Sequence, residues 1–171
     1  MTIVLESPSK KHAEEFLAAV KRSKKLHHPW VSAPATQKEY TEYLKRLKTP
    51  NRVSYFIRTE TRELAGVINI SEIVRGSFLS AYLGYYAFMP HHNHGYMTQG
   101  LKAVLGEAFR VLQLHRLEAN IQPGNEASRR LVKGLGFRLE GFSPRYLKIG
   151  GRWCDHERWA ITVEEWARAN R

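Results

Sequence analysis

The chain has 171 residues, 43% of them hydrophobic, and a formal net charge of +11. That length and composition fit one domain, residues 1–171, with an ordinary buried core. No stretch approaches the roughly 20 apolar residues of a membrane-spanning helix, and Met1–Lys10 carries no apolar leader segment. A cytoplasmic protein without a membrane partner is therefore expected. The single cysteine, Cys154, excludes an internal disulfide and a thiolate zinc site.

The positive charge is uneven. Residues 1–62 hold 13 Lys and Arg against 6 Asp and Glu. Such a field draws anionic partners, phosphates or RNA among them, and repels polycations unless a local acidic patch intervenes. Lys10, Lys11, Lys21, Arg22, Lys24 and Lys25 also have a plainer use, keeping a helix face in water.

In chain order, Thr2–Glu6 alternates as a short strand. Ser9 caps a predicted helix to about Arg22, with Phe16, Leu17 and Val20 as its apolar stripe. Lys24–Ala35, with two prolines, is expected to be a loop. Thr36–Leu47 reads as a helix with Glu39 at the capping-box position. Arg52–Thr59, Glu63–Ile73 and the aromatic-rich Ser80–Phe88 read as strands, the first two joined by a turn at Glu60–Arg62. Leu101, Val104, Leu105, Ala108, Phe109 and Leu112 form one helical stripe. Arg116–Gln122 is a predicted strand and Asn125–Leu135 a helix stopped by Gly136 and followed by Phe137. Gly150-Gly151 suits a turn between strands Arg145–Ile149 and Arg152–Thr162. This order predicts an α/β three-layer domain whose central sheet is partly antiparallel.

Met89–Thr98 leads from a strand into a helix start through a small-residue loop. A helix N-terminus offers unpaired N–H groups and the positive end of the macrodipole, which suits a phosphate. Gly95 lets the backbone approach an anion closely. Neither GxxxxGK[ST] nor GxGxxG is present, so nucleotide loops of those two kinds are excluded. His91, His92 and His94 cluster without an acidic or thiol partner at ligand spacing, so no metal is expected.

Two segments together carry a family resemblance. His92-Asn93-His94-Gly95-Tyr96-Met97 resembles the Gln/Arg-x-x-Gly-x-Gly/Ala acyl-CoA motif of the GNAT acetyltransferases. Pro123–Phe137, with Asn125, Ser128 and Leu135-Gly136-Phe137, resembles their Asn-x-x-Ser…Leu-Gly-Phe segment. Tyr82-Leu83-Gly84-Tyr85, His115-Arg116 and Tyr146-Leu147 with Gly151–His156 are further similar to the RimJ-type ribosomal-protein-alanine N-acetyltransferases. His92 departs from the usual Gln or Arg, and Met97 from the usual Gly or Ala. The resemblance covers roughly residues 2–162 and implies the GNAT fold, a mixed, mostly antiparallel sheet flanked by helices.

It also implies roles. Backbone amides of His94–Thr98, flanked by His92 and Asn93 and including Gly95, Tyr96 and Met97, would bind the diphosphate of acetyl-CoA. The strand end near Tyr86–Phe88, Ala87 included, would align pantetheine and hold the oxyanion. Asn125 would contact pantetheine, in addition to capping its helix. Ser128 would meet the departing thiolate. Arg129, Arg130 and Lys133 would meet the 3′-phosphate or simply face solvent. Some relatives use a Glu and a Tyr where this chain has Asn120 and Val132. The remaining base candidates are Tyr85, Glu72 and Glu118, each with an ordinary structural use. Trp30, in its proline-flanked loop, is placed to wall a substrate cleft.

A missing strong base favours one acceptor class. An α-amino group titrates near ~7.8 and lysine near ~10.4, so deprotonating an N-terminus costs ~3.5 kcal/mol less. The expected reaction is acetyl transfer to the N-terminal Ala or Ser of a ribosomal or other protein, with the basic surface associating with a ribosome. A small amine, amino acid or antibiotic, is the second acceptor class, and a non-catalytic ribosome- or RNA-associated module the third reading. Monomer and homodimer both remain open.

Overall fold

The computed structural model describes residues 2–170. Its strands are β1 (Val4–Glu6), β2 (Val53–Arg58), β3 (Leu64–Val74), β4 (Ser80–Ala87), β5 (Arg116–Ile121), β6 (Arg138–Ile149) and β7 (Arg152–Thr162). Its helices are α1 (Ala13–Arg22), α2 (Lys24–His27), α3 (Gln37–Arg46), α4 (Tyr96–Gly106), α5 (Glu126–Gly134) and α6 (Val163–Ala169). The strands form one sheet in the order β1-β2-β3-β4-β5-β7-β6.

Alternation along the strands builds two cores. In β2 and β3, Ile57, Ile68 and Ile70 face α4, packing with Leu101, Val104, Leu105 and Phe109. Their neighbours Phe56 and Val67 face the other way, onto Phe16 and Val20 of α1 and Tyr40 and Tyr43 of α3. A period of two thus divides one apolar run between two helical layers. Gly100 lets α4 approach closely: a Cβ there would lie 2.8 Å from Ile57 Cδ1. The α4 stripe is buried as its spacing predicts, and its last turn widens, with Leu112 N–H donating to Glu107 O at 2.9 Å. Thr36 and Glu39 form the expected capping box on α3, with Glu39 N–H donating to Thr36 Oγ1 at 3.2 Å.

Three elements differ from expectation. Lys24–Ala35 opens with a helical turn, because the buried His27 donates Nε2–H to Ala87 O at 2.8 Å and Ser23 Oγ accepts Met89 N–H at 2.9 Å. Strand β6 begins at Arg138, seven residues before the predicted start, since its backbone pairs with β7 although most of its side chains are exposed. Pro144 lies in this edge strand, where a missing donor is tolerated. Helix α6 follows Thr162, whose N–H donates to Glu165 Oε2 at 2.8 Å.

The site is positioned by a divergence in the sheet. Strands β1 to β4 pair antiparallel, as do β5 with β7 and β7 with β6. Only β4 and β5 are parallel, and they pair from Ser80↔Arg116 to Leu83↔Ala119. Beyond Leu83, β4 keeps its β3 partners to Ala87 while β5 continues along β7, so the two strands separate. The β5-facing edge of Gly84–Ala87 is left without a strand partner.

Candidate active site

The divergence opens into two clefts that share Trp30, Val31, Tyr85, Tyr86, Asn125 and Ser128. At this junction the hydroxyls of Tyr85 and Ser128 are 2.6 Å apart, joining β4 to the first turn of α5. Burial pushes the Tyr85 phenol up to about 12, an effect partly offset by the Ser128 hydrogen bond. Tyr85 is therefore a neutral hydroxyl at physiological pH. Two hydroxyls in mutual contact spend one proton on each other and keep the second to donate elsewhere. Asn125 Oδ1 accepts Ser128 N–H at 3.2 Å, as an N-cap does, leaving its amide nitrogen to line the clefts. Trp30 lies over Gly124, where a Cβ would meet its ring at 3.1 Å.

The first cleft, about 550 Å³, runs from the junction to the start of α4. Gly95 caps this helix at φ 81°, in the left-handed region that only glycine enters at no cost. No acidic residue stands in the first turn of α4 or among the residues lining this cleft, whereas Arg130, His91 and His92 do line it. His92 Nδ1 is buried with no hydrogen-bond partner among the described residues. On one side the cleft has a positive helix end and cationic or imidazole groups; on the other it has the unpartnered edge of β4. An extended, amide-bearing chain ending in phosphates fits both.

The second cleft, about 610 Å³, lies on the opposite side of the junction under Tyr82, Tyr146 and Trp30. Glu72 is the one acid lining it, and its carboxylate is paired with the Arg52 guanidinium. Asn120 Oδ1 and Gln122 Nε2, two residues apart on β5, are buried without hydrogen-bond partners among the described residues. His156, also in the lining, is buried, and its Nδ1–H donates to Cys154 O at 2.8 Å. Its Nε2 then presents a lone pair.

Two chambers meeting at a pair that can donate a hydrogen bond suit a transfer between two ligands, one phosphate-bearing and one held among polar amides. Comparison with known proteins decides the family. Residues 2–138 match the acetyltransferase (GNAT) domain. The chain belongs to the GNAT acetyltransferase family. It is 36% identical over 126 residues to a probable N-acetyltransferase, YjcK, of Bacillus subtilis (strain 168), covering 73% of this chain and 70% of that one. It is 39% identical over 107 residues to the [ribosomal protein uS5]-alanine N-acetyltransferase of Escherichia coli (strain K12), covering 63% of this chain but 55% of that one. Its fold superposes on Mycobacterium smegmatis RimJ in complex with CoA-disulfide with a TM-score of 0.87 at 26% identity, over 95% of this chain and 83% of that one. The protein is thus a GNAT acetyltransferase, similar to RimJ in sequence and fold, with acetyl-CoA as its co-substrate.

Several residues expected at this acetyltransferase's site line the clefts: Ala87, His92, Asn93, Gly95, Tyr96, Met97, Thr98, Asn125, Ser128 and Tyr85. Others stand apart. Phe88 is fully buried in the α1–α3 core, and its N–H donates to Ala65 O at 2.8 Å. His94 is exposed, its Nδ1 bonded to His92 O at 2.8 Å. Arg129 is held by Glu126 and by Glu157, the latter at 3.0 Å, while Arg130 faces the cofactor cleft. Glu118 is bonded to Arg116 at 2.9 Å and is absent from the lining. Met97, unusual for the motif, turns its thioether onto Gly66 of β3, filling the space a Cβ would need there. Gln122 and His156 were not anticipated as site residues. His156 closes a stretch whose resemblance was noted, and Gln122 shares the period-two face of Asn120.

Proposed function

We propose that this acetyltransferase acts on the N-terminal amine of a protein whose first residue is Ala or Ser, a ribosomal protein being the leading candidate, through one catalytic domain spanning residues 1–171. The observation that carries this reading is an acceptor cleft whose one carboxylate, Glu72, is already committed to Arg52. A weak base suffices for an α-ammonium near ~7.8 but not for a lysine near ~10.4. His156 Nε2 is the group we assign to take that proton, with Nδ1 fixed on Cys154 O. The relative that acts on ribosomal protein uS5 alanine supports the same acceptor class, as does a chain charge of +11 that disfavours polyamines.

In this mechanism the N-terminus of α4, from Gly95 to Thr98, holds the diphosphate. Arg130 meets the 3′-phosphate. The free edge of Gly84–Ala87 and the Asn125 amide hold the pantetheine arm, which acetyl-CoA supplies together with the reactive thioester. The neutral amine attacks the acetyl carbonyl, whose developing charge falls beside the β4 backbone. The Tyr85–Ser128 pair donates a hydrogen bond to the departing thiolate, which is then protonated by the equivalent of the proton the attacking nitrogen sheds as the amide forms, so CoA leaves as the thiol. The basic surface formed by residues 1–62 favours acceptors on an RNA-rich particle such as a ribosome.

CoA release with peptides beginning Ala or Ser tests the proposal. The same peptides blocked at the N-terminus but carrying an internal lysine should be inert. Faster turnover of spermidine or of free amino acids would overturn it.

A further inference from the structure

A further cleft of about 600 Å³ lies between α2 with its following loop and the tip of the β6–β7 hairpin. It shares Val31, Ser32, Gln122 and Ile149 with the acceptor cleft, so the two spaces are continuous along the Gln122 end of β5. Its lining includes Lys24, His28 and Arg152 and no acidic residue. Lys24 and Arg152 are exposed, and neither has an ion-pair partner among the described residues. Trp153, 62% exposed beside Arg152, adds an apolar ring to the same opening. Arg58, Arg116, Arg129 and Arg138, by contrast, are paired with carboxylates. What sets Lys24 and Arg152 apart is that both line one opening, with no acidic residue beside them.

We infer that this cleft is an exit subsite that takes the acceptor chain beyond its acetylated first residue and selects an acidic segment there. The inference rests on the peptide-acceptor reading above. A peptide whose amine lies at the Tyr85–Ser128 junction has the rest of its chain to dispose of. Val31, Ser32 and Ile149 line both spaces, so the second is continuous with the position of that amine. Unpaired Lys24 and Arg152 attract carboxylates and repel basic residues in the following positions, and the Trp153 ring offers an apolar surface for intervening side chains. A short amine reaches none of these groups.

The test uses a series of Ala-initiated peptides of equal length in which a single Glu or Lys is walked through positions two to six. The wild-type chain should show a KM about 5- to 10-fold lower for the best Glu peptide than for its Lys counterpart, with the difference shrinking in high salt. The charge-reversed variant Lys24→Glu/Arg152→Glu should invert the preference, while alanine amide is turned over unchanged. Both positions are exposed, so the variant is expected to fold. If Ala peptides are substrates but every Glu and Lys peptide has the same KM in both proteins, the subsite is refuted and the acceptor reading stands. If small amines are acetylated and no peptide is, both fall.

Discussion

Replacing Tyr85 by Phe removes one oxygen from the junction of the two clefts, and the structure sets the size of the effect. The phenol is pushed up to about 12 by burial, whereas an ordinary thiol titrates near ~8.5. Full proton transfer from this tyrosine to a thiolate is therefore uphill by several kcal/mol, roughly 5. Tyr85 and Ser128 together act as a hydrogen-bond donor, not as an acid that gives its proton away. A hydrogen bond to a charged group contributes about 1.5–3 kcal/mol, which is about 10- to 150-fold in rate. Tyr85→Phe and Ser128→Ala should each lower kcat by that factor, leave the KM for acetyl-CoA within about 3-fold, and show little further loss when combined. The assay is continuous thiol release with an Ala peptide, measured from pH 6 to 10. The reasoning is refuted by a loss of 10⁴-fold, by a basic limb of kcat that disappears in Tyr85→Phe, or by full activity in both variants.

Other outcomes follow from the same geometry. Gly95→Glu places a side chain at φ 81° and a negative charge at the start of α4; acetyl-CoA binding by calorimetry should be lost while circular dichroism is unchanged, and an unaltered affinity would put the cofactor elsewhere. Gly66→Ala drives a methyl into Met97 Sδ and toward Tyr86 O, costing about 1–3 kcal/mol in denaturant unfolding, and Met97→Ala should restore part of it. Glu140 is held at about 2, against an ordinary 4.5, by hydrogen bonds from Arg116 and Arg138. Its ionised form therefore stabilises the fold above pH 4.5, and that contribution is lost as pH falls from 4.5 toward 2. Glu140→Gln should cost about 1–2 kcal/mol at pH 7, discounted for solvent screening of a partly exposed group, and match the parent near pH 2.

Periodic burial was readable from the chain, and pairing without burial was not. Strands β2 to β4 and helix α4 announce themselves because each buries a face. The first half of β6 is exposed on most positions, so only its hydrogen bonds to β7 define it. Helix α2 depends on the His27–Ala87 contact, which spans 60 residues and leaves no local trace. Helix α6 did carry a local sign, Thr162 three residues before Glu165, the same signature that located α3. At the site, Gly95 and Asn125 were legible because a positive φ and a helix N-cap restrict what can stand there, whereas Ser128 was reached through the family resemblance alone. Which of Arg129 and Arg130 lines the first cleft was not legible, since it depends on Glu157 of β7 reaching one and not the other. The Met97 departure became intelligible only with Gly66 on the neighbouring strand.

The short parallel pairing of β4 with β5 has a mechanical consequence. In the plane of the sheet, four residue pairs join an antiparallel half of four strands to an antiparallel half of three. The place proposed to bind the co-substrate is thus also the seam along which the sheet is least stitched. A ligand lying in that gap, hydrogen-bonded to Gly84–Ala87 on one bank and to Asn125 on the other, acts as a removable strand. It raises the free energy of unfolding by RT ln(1 + [L]/Kd) and couples two halves that otherwise share the short β4–β5 pairing and a common apolar core. With acetyl-CoA placed as proposed, binding of the co-substrate and cooperativity of unfolding are coupled through that one seam.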